Sequence, residues 1–192
     1  MADDIETLCK KMVSDANAQL DKYEKEEIKK GVKKPNSMRL FLSEYDKSKS
    51  RSPEDQAKEV LAGRSWTCNS SHLADAARHV GLKLNGKVTF DLKKLQRDSK
   101  DDYDKFVEVY GEAMKKQGLR NFKGGANFDP LGADPFHMEL KDSRLRENDP
   151  RVQKCLLTYA QATRDDGQRK NDKFENEGYV KKFMEEYEQA KK

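Results

Sequence analysis

The spacing of apolar side chains predicts an amphipathic helix near the start of the chain. Over residues 3–27, apolar residues recur every three or four positions, at Ile5, Leu8, Met12, Ala16, Leu20 and Tyr23. That interval places them on one face of an α-helix. A basic break with glycine and proline follows over residues 29–35, and the sequence Met-Arg-Leu-Phe-Leu at residues 38–42 predicts a short strand.

Capping residues predict two further helical segments. Ser52 can cap a helix that begins at Pro53, and Gly63 is placed to end it. The sequence Asn-Ser-Ser at residues 69–71 offers another cap, which predicts helical structure over residues 72–79.

The second half of the chain combines strands with helices. A turn at Asn85-Gly86 leads into a predicted strand over residues 86–90, and residues 137–140 predict another strand. Residues 101–117 predict a helix with Tyr103, Phe106, Val107, Tyr110 and Met114 facing inward. From residue 149 onward the pattern is helical again, with a break over residues 165–171.

These elements predict an α+β fold in which helices pack on a small antiparallel sheet. We expect a domain over residues 1–145, with the candidate metal site in its cleft, and a helical C-terminal extension over residues 146–192. Because 39% of the residues are charged and only 34% are hydrophobic, the helices should have long solvated faces.

The charge distribution and the N-terminal sequence argue against several classes of function. The 39 basic residues are interleaved with 35 acidic ones, without the basic stripe that a nucleic-acid-binding protein needs. The N-terminal sequence Met-Ala-Asp-Asp-Ile-Glu does not resemble a signal peptide, and no apolar run is long enough for a membrane span. We therefore expect synthesis in the cytoplasm, with neither nucleic-acid binding nor stable membrane insertion.

The cysteine pattern predicts free thiols. Cys9, Cys68 and Cys155 are odd in number and lack the close spacing of a metal-binding or disulfide motif. This usage is typical of proteins made in a reducing compartment.

The three histidines of the chain are the main candidates for chemistry. His72 and His79 lie seven positions apart, and His137 follows 58 positions later. Two close ligands and one distant ligand suit catalytic zinc, which takes three protein ligands and leaves a fourth position for water or substrate. Scattered histidines more often have no metal, so the surrounding motifs decide the interpretation.

Three segments carry a resemblance to a known family. Residues 50–56, 63–72 and 134–140 have the sequences SRSPEDQ, GRSWTCNSSH and DPFHMEL. In order and spacing they resemble the D-Ala-D-Ala metallopeptidase family, above all its bacteriophage members. These include endolysins that cut the L-alanyl–D-glutamate bond of peptidoglycan. The resemblance covers roughly residues 12–140 and implies a zinc peptidase.

The first family motif is Ser-X-His followed by Gly, Ala and Asp, in which the His and the Asp bind zinc. Ser70, His72 and Ala77 match it, whereas Asp75 stands at the Gly position and His79 at the metal-binding Asp position. Imidazole in place of carboxylate keeps a zinc ligand but removes one negative charge from the metal. The resemblance thus implies His72, His79 and His137 as the ligands.

The resemblance also implies roles for three other residues. Asp134, three residues before the last ligand, corresponds to the catalytic base, which takes a proton from the activated water and returns it to the leaving amine. Arg51 corresponds to the arginine that binds substrate and stabilises the carbonyl oxygen, and Ser70 to a substrate-binding serine. The plain alternatives are a turn at Asp134, a surface salt bridge at Arg51 and a helix cap at Ser70.

Two other interpretations of this region remain open. Cys68, four residues before His72, could act as a nucleophile in a Cys/His amidase. Glu139, two residues after His137, would face the same side of a strand and could contact that ligand or bind the metal.

We therefore expect a zinc-dependent peptidase that cleaves peptidoglycan stem peptides at L-Ala–D-Glu or at a D-Ala bond. It would act at the bacterial cell wall after release, or be carried in a virion. The alternative is a catalytically degenerate, metal-stabilised module that binds the wall or belongs to a virion. The C-terminal helices are candidates for virion or oligomer contacts.

Overall fold

The computed structural model describes residues 4–43, 51–121, 135–141 and 143–191. In these ranges the helices are α1 (Ile5–Lys29), α2 (Pro53–Leu61), α3 (Leu92–Asp98), α4 (Lys100–Lys116), α5 (Pro150–Ala160), α6 (Asp172–Glu175) and α7 (Gly178–Gln189). A π-helical turn, Gln161–Asp165, continues α5. The strands are β1 (Met38–Leu42), β2 (Ala77–Leu84), β3 (Lys87–Thr89), β4 (Leu119–Asn121) and β5 (His137–Leu140). The α+β class, with helices on a small antiparallel sheet, is confirmed.

The chain divides into two compact units, each built from two separate segments. A sheet unit comprises Met1–Ser48 and Ala76–Asp142, and a helical unit comprises Lys49–Asp75 and Ser143–Lys192. Residues 49–75 thus belong with the C-terminal helices rather than with the sheet.

The sheet unit places its strands in the order β1-β2-β5-β4, with β3 paired to β2 and every pairing antiparallel. Asn85 and Gly86 both have positive φ, 51° and 79°, as a tight two-residue hairpin between β2 and β3 requires. Helices α1 and α4 contribute to the core of this unit together with alternate strand residues. The large core side chains include Met12, Leu20, Met38, Leu82, Phe106, Tyr110 and Met138.

Strand alternation separates core residues from site residues. Val80 and Leu82 of β2 and Met138 of β5 belong to the apolar core. Successive side chains of a strand point to opposite faces, so His79 and His137 lie on the other face of the sheet.

The helical unit has its own core, in which α2 and α5 are neighbours. Its fully buried side chains include Val60, Val152, Leu156, Tyr159 and Phe174.

Polar side chains also tie the helical unit together. Asn171 caps α6 and donates from Nδ2 to the carbonyl oxygen of Val60 at 2.8 Å. Glu175 accepts from the hydroxyl of Tyr159 at 3.0 Å and from the guanidinium of Arg164 at 2.8 Å. Burial alone would raise the pKa of Glu175, but the hydrogen bonds from Arg164 and Tyr159 outweigh it and hold the pKa below its usual value.

The prediction of free thiols is wrong for two of the three cysteines. Cys68 and Cys155 form a disulfide within the helical unit, and Cys9 is a buried thiol outside that bond. The two partners are 87 positions apart, so no local spacing signalled the pair. They meet because α5 packs beside the segment that follows α2.

One predicted helix is also wrong. Residues 71–75 form turns, and residues 77–84 form β2. Ser70 does act as a local acceptor, because its Oγ accepts from the backbone N–H of His72 at 3.3 Å. Short polar residues make such bonds in turns as readily as at helix starts, so the cap signal here marked a turn.

The other predicted elements are found close to their expected bounds. These are α1, β1, α2, β3, α4, β5 and the helical C-terminal region. Helix α3 was not predicted. Among the described residues, no helix combines the length and apolar character that crossing a membrane requires.

Candidate metal centre

Two of the three histidines are direct neighbours in the sheet. His79 of β2 and His137 of β5 are paired across the antiparallel ladder. Nε2 of His79 lies 3.4 Å from Nδ1 of His137, and the two rings meet edge to face with centroids 5.0 Å apart. The strand register therefore places two ring nitrogens against each other.

The separation of these nitrogens suits shared coordination of a metal. Hydrogen bonds from nitrogen usually span about 2.7–3.2 Å, so a separation of 3.4 Å is long for a direct bond between the rings. Two nitrogens that each lie ~2.0–2.1 Å from a tetrahedral zinc ion are about 3.3–3.4 Å apart. The pair thus has the spacing of one edge of a zinc tetrahedron.

His72 supplies a third ligand atom. The candidate ligand atoms of His72, His79 and His137 all lie within 4.8 Å of one another. His72 is 9% exposed and His137 is 4% exposed, so both rings are largely removed from water. The structure therefore brings together the three histidines expected from the sequence, close enough to hold a metal ion.

A buried carboxylate contacts the histidine pair. Oε2 of Glu139, a residue only 1% exposed, lies 3.2 Å from Nε2 of His137. Its other oxygen accepts from Nε of Arg120 at 3.0 Å, and Arg120 is the residue opposite Glu139 on β4. Glu139 therefore binds the ring nitrogen of His137 that faces away from His79.

The start of β5 is fixed by side chains of the sheet unit. Nδ2 of Asn121 donates to the carbonyl oxygen of Pro135 at 3.0 Å and to that of His137 at 3.3 Å. The hydroxyl of Tyr110 donates to the same Pro135 oxygen at 3.3 Å. These bonds hold the backbone that carries His137.

The turn that follows His72 contains a residue with positive φ. Asp75 has φ of +53°, in the left-handed region that favours glycine. Aspartate tolerates this region better than most residues do, so Asp75 can adopt the conformation of this turn. Ala77, the matching alanine, is completely buried at the start of β2.

The backbone of Arg51 is hydrogen-bonded to that of His72 within the helical unit. Its backbone N–H donates to the carbonyl oxygen of His72 at 3.1 Å. Its guanidinium donates to Oε1 of Gln56 at 2.8 Å, and the buried Gln56 amide donates in turn to the carbonyl oxygen of Thr67 at 2.7 Å. Gln56 ends the motif segment at residues 50–56, but its bond to Arg51 was not predicted from the sequence.

The remaining candidates for catalysis are Cys68 and Asp134. Cys68 is fully buried and disulfide-bonded, so the prediction of a nucleophilic thiol there is wrong. Asp134 lies outside the described residues, and its role as a base stays a prediction.

Comparisons of the chain with protein-family models, with curated proteins and with solved structures found no match.

Proposed function

We propose that this protein is a zinc-dependent peptidase that cleaves the stem peptides of bacterial peptidoglycan, as a lytic enzyme of the bacteriophage type. The observation that carries the proposal is the convergence of His72, His79 and His137. The resemblance of the motifs around these residues to the D-Ala-D-Ala metallopeptidase family supplies the reaction and the substrate class.

The donor set favours zinc among the common metals. Three imidazole nitrogens suit zinc, whereas magnesium and calcium prefer oxygen ligands. Three protein ligands also leave one position open, as catalytic zinc sites do, whereas structural sites use four. When bound, zinc would polarise the scissile carbonyl and activate water for the attack.

The remaining residues take roles that fit peptide hydrolysis. Arg51, anchored by Gln56, would donate to the carbonyl oxygen as negative charge develops on it. Ser70 accepts from the His72 N–H and still has a hydroxyl proton to donate to substrate. Asp134 would take the proton of the attacking water and pass it to the leaving amine.

The first test is the zinc content of the purified protein. We expect about one zinc per chain, by the ligand count of a single catalytic site, and its loss in His72→Ala, His79→Ala and His137→Ala. Lys83→Ala is the matched control, because Lys83 is an exposed residue of the same strand as His79. Wild-type protein without zinc after refolding with the metal would contradict the proposal.

The second test is digestion of purified cell wall, followed by mass spectrometry of the soluble fragments. Cleavage at L-Ala–D-Glu exposes a new glutamyl amine, whereas cleavage at a terminal D-Ala bond releases free alanine. Asp134→Asn should abolish either product. Asp129→Asn should not, and it is the matched control because Asp129 also precedes a proline.

A second candidate function follows from His79. His79 stands where the resembling family has a metal-binding aspartate, and Asp75 stands where it has a glycine. These two departures favour a metal-stabilised module that binds the wall without hydrolysis. Retention of zinc and of wall binding in a sedimentation assay, with no fragment released by wild type, would support this candidate over the enzyme.

A further inference from the structure

We infer that Glu139 is a positioning residue that fixes the tautomer of His137 and directs Nδ1 of that ring to the metal. The inference rests on the metal site proposed above and extends it to a residue that does not itself bind the ion. It follows from three observations: the contact with His137, the burial of the carboxylate, and the second contact with Arg120.

The contact defines which ring nitrogen carries the proton. A carboxylate is only an acceptor, so the Nε2 of His137 that it meets at 3.2 Å must be the donor. In a neutral imidazole the other nitrogen, Nδ1, then has its lone pair available. This is the nitrogen that lies 3.4 Å from Nε2 of His79, on the proposed metal side.

Burial shows that the carboxylate is held in place. Glu139 is 1% exposed, and an isolated buried carboxylate is unfavourable without charged or hydrogen-bonding partners. Arg120 binds Oε1 at 3.0 Å, which leaves Oε2 directed to His137. Strand register explains the arrangement, since Arg120 is opposite Glu139 and His137 is two residues before it.

The contact also acts on the basicity of the ligand ring. A carboxylate hydrogen-bonded to a ligand histidine increases the basicity of that histidine and fixes its orientation. Glu139 is placed to act on His137 in this way, while Arg120 balances the charge of the carboxylate.

The test separates positioning from a purely structural ion pair. Glu139→Gln keeps the size and one acceptor oxygen but removes the charge. Glu139→Leu/Arg120→Leu removes the pair together, so neither partner is left buried and unpaired. We would measure the zinc dissociation constant by chelator competition and the His137 tautomer of the metal-free protein by nitrogen-15 NMR.

We expect the wild-type His137 to carry its proton on Nε2 and zinc binding to weaken about 10–100-fold in Glu139→Gln. The double variant should bind zinc more weakly still and lose the fixed tautomer. A zinc affinity within twofold of wild type in both variants, or a proton on Nδ1 in the wild-type protein, would overturn the inference.

Failure of the peptidase proposal gives a different result. Wild-type protein that binds zinc but releases no wall fragment contradicts the proposed hydrolysis and leaves the role of Glu139 intact. Wall cleavage by wild type, together with unchanged zinc affinity in both variants, contradicts the role of Glu139 alone.

Discussion

Replacing Cys68 and Cys155 together by alanine should strongly destabilise the helical unit. Their disulfide joins positions 87 residues apart, and chain-entropy arguments assign a closed loop of this size about 4.5 kcal/mol of stabilisation. Disulfides more often deliver about 2–4 kcal/mol in practice, so we expect a loss of roughly 3–4 kcal/mol. Alanine is preferable to serine because both positions are fully buried and a hydroxyl would need a partner there.

The chain provides a reporter for this measurement. Trp66 is its single tryptophan, it belongs to the helical unit, and Nζ of Lys173 lies 3.8 Å from the centre of its ring. Unfolding in guanidinium chloride can be followed by the fluorescence of Trp66. At about 2–4 °C per kcal/mol, the loss corresponds to a fall of roughly 10 °C in Tm.

Thiol counting makes the prediction refutable. Denatured, unreduced wild type should show one reactive thiol, from Cys9, and reduction should raise the count to three. Cys9→Ala is the control, since it removes a buried thiol without opening a loop. Three thiols before reduction, or equal unfolding midpoints for oxidised and reduced wild type, would refute the reasoning.

Three further predictions concern stability and metal. Glu175→Gln should cost about 1–3 kcal/mol near neutral pH through weakened bonds to Arg164 and Tyr159. Because the folded pKa of Glu175 is depressed, its contribution exists above the unfolded pKa of about 4.3 and is lost as pH falls through the folded value. Urea midpoints of wild type and variant should therefore converge toward pH 3, and a constant gap would contradict this. Asn171→Ala should cost about 2–3 kcal/mol, because it removes a cap and a donor to Val60. Asn171→Asp keeps the cap acceptor, so its stability should lie between those of wild type and Asn171→Ala, and thermal unfolding can check this. Equal losses of stability in the two variants would exclude a role for the Asn171 donor. Zinc at 100 times its dissociation constant should add about 2.7 kcal/mol to the stability of the metal-free protein. Calorimetry with and without chelator should show this rise in Tm in wild type and not in His137→Ala.

Residue type and motif order were enough to predict that the histidines lie close together, although the helix predicted over residues 72–79 is wrong. The sequence predicts a helix at His79, whereas the structure has this residue on β2. Val80, Leu82 and Leu84 alternate as a strand requires, but the polar residues at 69–71 also fit a helix cap and favour the wrong element. The ligand prediction is independent of the element, because it rests on residue type and motif order and not on the backbone conformation.

Other features depend on contacts between segments that are distant in sequence, and these could not be predicted from the sequence. Arg120 and Glu139 are brought together by the register of β4 and β5. The sequence of either strand alone does not indicate which strand pairs with it. The Cys68–Cys155 bond likewise depends on α5 packing beside the segment after α2. Both are consequences of tertiary packing, which periodicity and spacing do not encode.

The discontinuous make-up of the helical unit has a practical consequence for shortening the protein. A chain that ends at residue 145 would keep Ala57, Val60 and Cys68 but lose Val152, Leu156 and Phe174, with which they form one core. The retained segment would present an apolar surface to solvent and become a substrate for proteases and chaperones. Expression of residues 1–145 alone should give inclusion bodies or trimmed fragments, so a fusion partner is better attached to an end of the full chain.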